Sequence, residues 1–212
     1  HKVRDPRGRT YEYRLPRTQV FEDIAPRLID LDNDGRTEIV TILSSTTRGA
    51  ALAIFSIEGN ALVKRVQTDF IGQRFRWLNF AGAGYFTGSS TPEFALVQTP
   101  HIGGTLQLWK YASGGLIPLI QAASFSNHVI GSRELRLSAI TDIDGNRTQD
   151  LALPSADRKA LVMVGFTADG FKELARVNLP SPVDKAIAVE GSGNRTRFTV
   201  GLENGSVYQI HK

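Results

Sequence analysis

The feature of this sequence that most restricts its fold is one turn written four times. LIDLDNDGRTEIVTI from Leu28, GAGYFTGSSTPEFALVQ from Gly82, AITDIDGNRTQDLALP from Ala139 and AIAVEGSGNRTRFTVGL from Ala186 each read as a strand, a polar nine-residue turn and a second strand. Counted from Asp30, Tyr85, Asp142 and Glu190, the turns occupy 30–38, 85–93, 142–150 and 190–198, at spacings of 55, 57 and 48 positions. Recurrence over tens of residues belongs to repeat architectures, in which one supersecondary unit packs against copies of itself. A second echo, IGQRFRW from Ile71 and IGSRELRL from Ile130, precedes the second and third turns and supports the register.

Short runs rich in Val, Ile, Leu, Phe and Tyr fill the space between the turns. They are Glu38 to Leu43, Ala51 to Ile57, Ala61 to Val66, Glu93 to Gln98, Thr105 to Tyr111, Leu151 to Pro154, Ala160 to Phe166, Arg197 to Leu202 and Ser206 to Ile210. Clusters of Gly, Asn, Asp, Ser and Pro separate them and no long segment keeps a helical period, so the expected class is all-β. Hairpin-like pairs follow the turns, as in AALAIFSIEGNALVKRV, where Glu58-Gly59-Asn60 reverses the chain. Four short strands per repeat predict four-stranded antiparallel blades around an axis, a β-propeller. Four repeats are visible, which allows four to five blades or part of a larger ring. Solenoid repeats are usually shorter, roughly 20 to 45 residues. Residues 1–20 read as a basic N-terminal segment with room in TYEYRLP for extra strands, and residues 21–212 as the repeats.

Composition removes several function classes. The 212 residues contain no cysteine, which excludes thiol catalysis, Cys-type zinc sites and disulfides together. The formal charge of +4 is a mild excess of 25 basic over 21 acidic residues, spread along the chain. A nucleic-acid binder concentrates its charge in one stripe with interleaved aromatics, so no nucleic-acid partner is expected. Lys2, Arg4, Arg7, Arg9, Arg14 and Arg17 form the densest basic stretch, read as a solvated, partly mobile start rather than a polyanion site. No apolar run approaches the roughly 18 residues of a membrane span. The chain opens at His1 without a basic and apolar leader, as a processed or trimmed form would.

The first turn places carboxylates at positions one, three, five and nine, Asp30, Asp32, Asp34 and Glu38, with the Arg36 carbonyl at seven. Hard oxygen donors at alternating positions of a tight loop suit a calcium ion, which takes six to eight of them. Gly35 lets the chain wrap without strain. The third turn offers Asp142, Asp144, Asn146, the Thr148 carbonyl and Asp150, with Arg147 standing where the glycine belongs. An EF-hand needs a bidentate Glu at position twelve and flanking helices, whereas position twelve here is Thr41 or Leu153 between strands. The second turn keeps Glu93 alone beside Tyr85, Thr87 and Ser89. The fourth, with Glu190, Ser192, Asn194 and Phe198, lacks the closing acid, so no ion is expected in either.

DLDNDGRTEIV and DIDGNRTQDLAL resemble FG-GAP/VCBS repeats, the blade motif of integrin α-subunit propellers and of many exported bacterial proteins. VFEDIAPRLIDLDNDG, FRWLNFAGAGYF, PHIGGTLQLW and SNHVIGSREL are similar to a group of alphaproteobacterial VCBS-repeat proteins, so the likeness covers nearly the whole chain after about Val20. It implies calcium held between the first two strands of a blade by Asp30, Asp32, Asp34, Arg36 and Glu38, and by Asp142, Asp144, Asn146, Thr148 and Asp150. It also implies a periplasmic or secreted location.

Arg27, Arg76, Arg136 and Lys185 each precede the first strand of a repeat. They can either ring one mouth of a central channel as an anion site or pair with nearby acids. His101 and His128 can join in a transition-metal site if they meet, or cap turns. Trp77 and Trp109 sit in strand-like runs and are expected to pack within blades. No nucleophile elbow, zincin helix or phosphate loop is present. The expected function is a non-catalytic, calcium-stabilised module for protein interaction or scaffolding, including service as an accessory subunit of a larger complex. The alternative is a carbohydrate-binding or polysaccharide-cleaving propeller, with His128 and Arg133 or Arg136 as its chemistry.

Overall fold

The computed structural model describes residues 2–167 and 170–212. The chain divides into two compact units, one of His1–Leu78 with Tyr111–Ile117, the other of Asn79–Lys110 with Pro118–Lys212. Both are built from antiparallel strands, and the helix content of the described residues is one 3-10 turn, Gly193–Arg195.

In the first unit β1 (Lys2–Arg4) pairs with β2 (Thr10–Glu12), and β3 (Gln19–Phe21) and β4 (Arg27–Ile29) both lie along one edge of β5 (Glu38–Ser45). β6 (Gly49–Glu58) and β7 (Ala61–Gln67) complete this sheet. Phe21 stands opposite Leu43 and Arg27 opposite Val40, so β3 and β4 are one strand position interrupted at residues 22–26. Pro26, which has no N–H to give a ladder, lies in that gap. The sheet therefore has four strand positions and five strands. The basic start is not a loose tail: Val3, Tyr11 and Tyr13 pack with Ile39, Leu43, Phe55 and Leu62, and Tyr13 meets Phe55 edge-on at 4.9 Å between centroids. Its arginines stay in water while alternate residues enter the core, the period of a half-buried strand.

Three further sheets follow in chain order, most of their residues in the second unit. The first is β8 (Leu78–Gly84), β9 (Glu93–Gln98), β10 (Thr105–Ala112) and β11 (Gly115–Ala123), hydrogen-bonded in that sequence. The next is β12 (Ala139–Thr141), β13 (Asp150–Pro154), β14 (Ala160–Thr167) and β15 (Gly170–Asn178). The last has three strands, β16 (Ala188–Glu190), β17 (Arg197–Gly201) and β18 (Val207–His211). Ala95, Val97, Leu106 and Leu108 bury against Leu151, Leu153, Val162 and Val164, joining the first two of these sheets. Ala152, Leu161 and Met163 bury against Phe198, Val200 and Leu202, joining the last two. β9, β13 and β14 are buried on both faces, which explains their nearly unbroken apolar sequences.

The all-β expectation and the strand runs between the turns are met. The sheets are separate and unequal, with five, four, four and three strands besides the β1–β2 pair, rather than uniform four-stranded blades. Two long strands, β11 and β15, are absent from the expected runs. Both are mostly exposed outer strands: β11 carries Pro118, which speaks against a strand, and turns Ile117 and Leu119 to water, while in β15 the polar residues of FKELAR mask the period.

Candidate metal centres

All four turns connect the first strand position of a sheet to the second, and three are organised around one buried closing acid. Glu38, Glu93 and Asp150 are 3%, 1% and 0% exposed. Each accepts backbone N–H groups from the start of its own turn: Leu31 to Glu38 at 2.9 Å, Thr87 to Glu93 at 2.8 Å, and Ile143 and Asp144 to Asp150 at 2.7 and 3.3 Å. The side chain at position two, Leu31, Phe86 or Ile143, is fully buried beneath the loop. Burying such a side chain stabilises by about 1.5–3 kcal/mol, which anchors the turn to its sheet.

Above that anchor the first and third loops curl around their leading acids. Asp30 accepts the N–H groups of Asp34 and Gly35 at 3.1 and 3.0 Å, and Asp142 those of Gly145 and Arg147 at 2.7 and 3.0 Å. Asp34 accepts Arg36 N–H at 2.8 Å, and Asn146 accepts Thr148 N–H at 2.7 Å. The curl requires left-handed backbone at positions four and six: Asn33 (φ 58) and Gly35 (φ 83), then Gly145 (φ 83) and Arg147 (φ 73). Arg147 thus takes the glycine conformation despite its Cβ, a local strain of about 1–2 kcal/mol.

These curls bring three carboxylates together in each loop. Oxygens of Asp30, Asp32 and Glu38 lie within 4.8 Å of one another, and so do oxygens of Asp142, Asp144 and Asp150; either group can hold a metal ion. Asp34 stands outside the first trio, its Oδ1 turned to the Arg36 N–H. Burial, followed by the neighbouring charges of Asp32, Asp34 and Asp30, pushes Glu38 above its ordinary pKa, and burial with Asp144 and Asp142 does the same to Asp150. Asp150 Oδ1 is buried with no hydrogen-bond partner, set close to Gly165, where a Cβ would come within 3.0 Å of it. A buried, partnerless carboxylate oxygen inside an acidic trio is the environment that a bound cation would relieve.

The second and fourth loops are completed by protein groups. Thr87 gives Glu93 its hydroxyl as well as its N–H. In the fourth, Phe198 fills the closing position in the core, and Glu190 pairs instead with Arg197 at 3.2 Å. In the second unit the loops touch in series. Tyr85 N–H donates to the Gln149 side chain at 2.8 Å, and Gly193 N–H donates to the Asp142 carbonyl at 2.7 Å.

Three of the four cations expected at strand starts are occupied locally. Arg27 pairs with Asp23 at 2.5 Å, Arg136 with Glu134 at 2.8 Å and Lys185 with Asp184 at 2.5 Å; Arg76 gives its backbone carbonyl to Ala50 N–H. Asp23, which the sequence did not single out, also accepts from the Ile42 N–H and the Thr41 hydroxyl, and so holds the interrupted edge of β5. A carboxylate four residues before a strand carries no sequence signal of that role. Trp77 and Trp109 are half-buried, and Trp109 Nε1 donates to Gln107 at 3.1 Å. His101 and His128 do meet, 2.7 Å apart.

No family model and no curated protein matches the chain. Among solved structures it is similar to BBS1N, from the crystal structure of BBS1N in complex with ARL6DN soaked with lead. The TM-score is 0.57 at 15% identity, over 91% of this chain and 54% of that one. It is also similar to a chain of the complex of the fission yeast SREBP–SCAP binding domains, at TM-score 0.48 and 11% identity, over 96% of this chain and 52% of that one. The chain spans about half the length of these solved chains, and at 15% identity the likeness to BBS1N concerns the all-β fold. Among the described residues no helix is long and apolar enough to cross a membrane.

Proposed function

We propose that the chain is a calcium-stabilised β-propeller segment of the FG-GAP/VCBS kind, working as a non-catalytic module for protein interaction or scaffolding. The observation that carries the reading is the recurrence of one loop between the first two strand positions of a sheet, with converging carboxylates in two of its four copies. Carboxylate, amide and backbone carbonyl oxygens at alternating loop positions are the hard donors that calcium takes six to eight of, in flexible geometry, whereas magnesium demands a near-ideal octahedron and keeps several waters. Asp30, Asp32 and Glu38 would hold it in the first loop, with Asp34 and the Arg36 carbonyl; Asp142, Asp144 and Asp150 in the third, with Asn146 and the Thr148 carbonyl. The ion supplies positive charge that ties the rim loop to its sheet.

The likeness to BBS1N, a propeller-like domain crystallised with a protein partner, supports the fold part of this reading. The interaction role is supported by loops held at the sheet ends through their closing acids, and BBS1N itself was crystallised in complex with ARL6DN. The test has two stages. Calcium should raise the melting temperature and a chelator lower it, because a ligand bound only by the folded state stabilises it. Partner capture from the native source should then weaken when Asp32→Ala and Asp144→Ala remove the ions. No melting shift rejects the calcium; a shift with capture indifferent to it rejects the interaction role of the rim.

A further inference from the structure

His101, in the turn between β9 and β10, and His128, after β11, come from opposite ends of a hairpin. His101 Nε2 lies 2.7 Å from His128 Nδ1, with ring centroids 5.0 Å apart and planes tilted by 56°. On its far side, His128 Nε2 is 3.0 Å from the Ser132 carbonyl. A carbonyl only accepts, so Nε2 carries the proton and Nδ1 of neutral His128 directs its lone pair at His101. An imidazole whose tautomer is fixed by a backbone carbonyl, with the other nitrogen aimed at a second imidazole, is the arrangement that metal-ligating histidines use.

The two rings line a cavity of about 190 Å³ with Pro100, Val129, Asp157 and Arg158. Arg158 does not bring an uncompensated charge, because its Nη1 is 2.7 Å from both the Glu203 carboxylate and the Val183 carbonyl. Asp157 adds a carboxylate to the wall, one oxygen of which accepts from the Ser155 hydroxyl and the Lys159 N–H. His128 is 2% exposed, and its burial keeps the imidazole in the neutral form that metals require.

We propose that His101 and His128 form a two-imidazole site for a borderline divalent transition metal, zinc, copper or nickel, completed by solvent. Imidazole donors select such ions and carboxylate loops select calcium, so this site is chemically separate from the acidic turns. On binding, the proton between the facing nitrogens moves to Nδ1 of His101, leaving a lone pair on each and releasing no net proton. Metal–nitrogen bonds of 2.0–2.1 Å at tetrahedral angles need the nitrogens about 3.3 Å apart. The facing nitrogens of a hydrogen-bonded pair point along one line, so meeting an ion between them requires the His101 ring, the half-buried partner on its turn, to swing sideways as well as outward while the Ser132 carbonyl holds His128 in place.

The test uses the full chain carrying His1→Ser and His211→Asn, which leaves the pair as the only imidazoles, with calcium in excess to saturate the acidic turns. Zinc and copper are titrated calorimetrically, and copper coordination is read by electron paramagnetic resonance. One equivalent of bound ion, nitrogen hyperfine structure from two imidazoles, and at least tenfold weaker binding in His101→Gln are expected. His128→Gln should behave likewise; because His128 is buried, the surface-turn variant His101→Gln decides if that protein fails to fold. Equal binding by the parent and His101→Gln, or copper bound through oxygens alone, overturns the proposal.

Discussion

Thr87 donates both its backbone N–H, at 2.8 Å, and its hydroxyl to the buried carboxylate of Glu93. The same closing position in the first and third loops accepts only backbone N–H groups and faces two further acids. Tyr85, Thr87 and Ser89 in place of the leading acids therefore separate a self-satisfied turn from one suited to a cation.

That separation predicts opposite responses to mutation. Glu93→Leu should destabilise by about 1–3 kcal/mol, the cost of a buried N–H left without its acceptor, equally with calcium or chelator present. Asp32→Ala and Asp144→Ala, both at exposed positions, should change chelator-state stability by no more than about 0.5 kcal/mol while reducing the calcium response. Denaturant melts in both conditions check this; a calcium-dependent penalty for Glu93→Leu would contradict it.

Acid should mimic the ion. Glu38 and Asp150 are raised above their ordinary values of 4.5 and 3.8. A carboxyl group whose folded pKa exceeds its unfolded one contributes stability below the unfolded value and loses it as pH rises through the folded value. In chelator, wild type minus the Glu38→Gln, Asp150→Asn double variant should therefore lose stability as pH climbs from about 4. Calcium binds the ionised groups, so its melting shift should grow across the same interval. A calcium shift as large at pH 4 as at pH 7 would refute the assignment of these two acids.

Arg147 is strained where Gly35 is not. Arg147→Gly should stabilise the fold by about 1 kcal/mol, the relief of left-handed backbone less the greater freedom of glycine when unfolded. It should also tighten calcium at the third loop. A loss of stability in thermal melts would show that the arginine side chain contributes more than its backbone conformation costs.

His128 gives a different pH signature. Burial, with smaller contributions from His101 and Arg158, pushes its pKa down to about 4 against an opposing hydrogen bond to the Ser132 carbonyl. A depressed histidine contributes stability above its ordinary value of 6.5 and loses it as pH falls toward 4. His128→Gln should flatten the stability profile over that window, measured in chelator so that the carboxylate loops do not intervene.

Much of this was legible in the residues because strand alternation and turn chemistry are local. The nine-position turns, the two acid-rich copies and the runs of β5, β9, β13 and β14 stand in the sequence as they stand in the fold. The closing acid's second role did not, since Glu93 hydrogen-bonds to Thr87 only once the turn has curled. The pairing of His101 with His128 rests on the β10–β11 hairpin bringing distant turns together, which no spacing rule encodes. β11 escaped because Pro118 interrupts its run and Ile117 and Leu119 face water, and β15 because polar residues fill the face that water covers. The seating of the basic N-terminal pair was hidden by its arginines, while Val3, Tyr11 and Tyr13 carried the core contacts.

Three of the turns are wired through the backbone hydrogen bonds of a buried closing acid, and the fourth puts Phe198 in its place. The shape of each loop is thus set by the residue that ends it, while the residues ahead of that position decide whether the loop gathers negative charge. Scaffold and charge are written at different positions of the same nine residues.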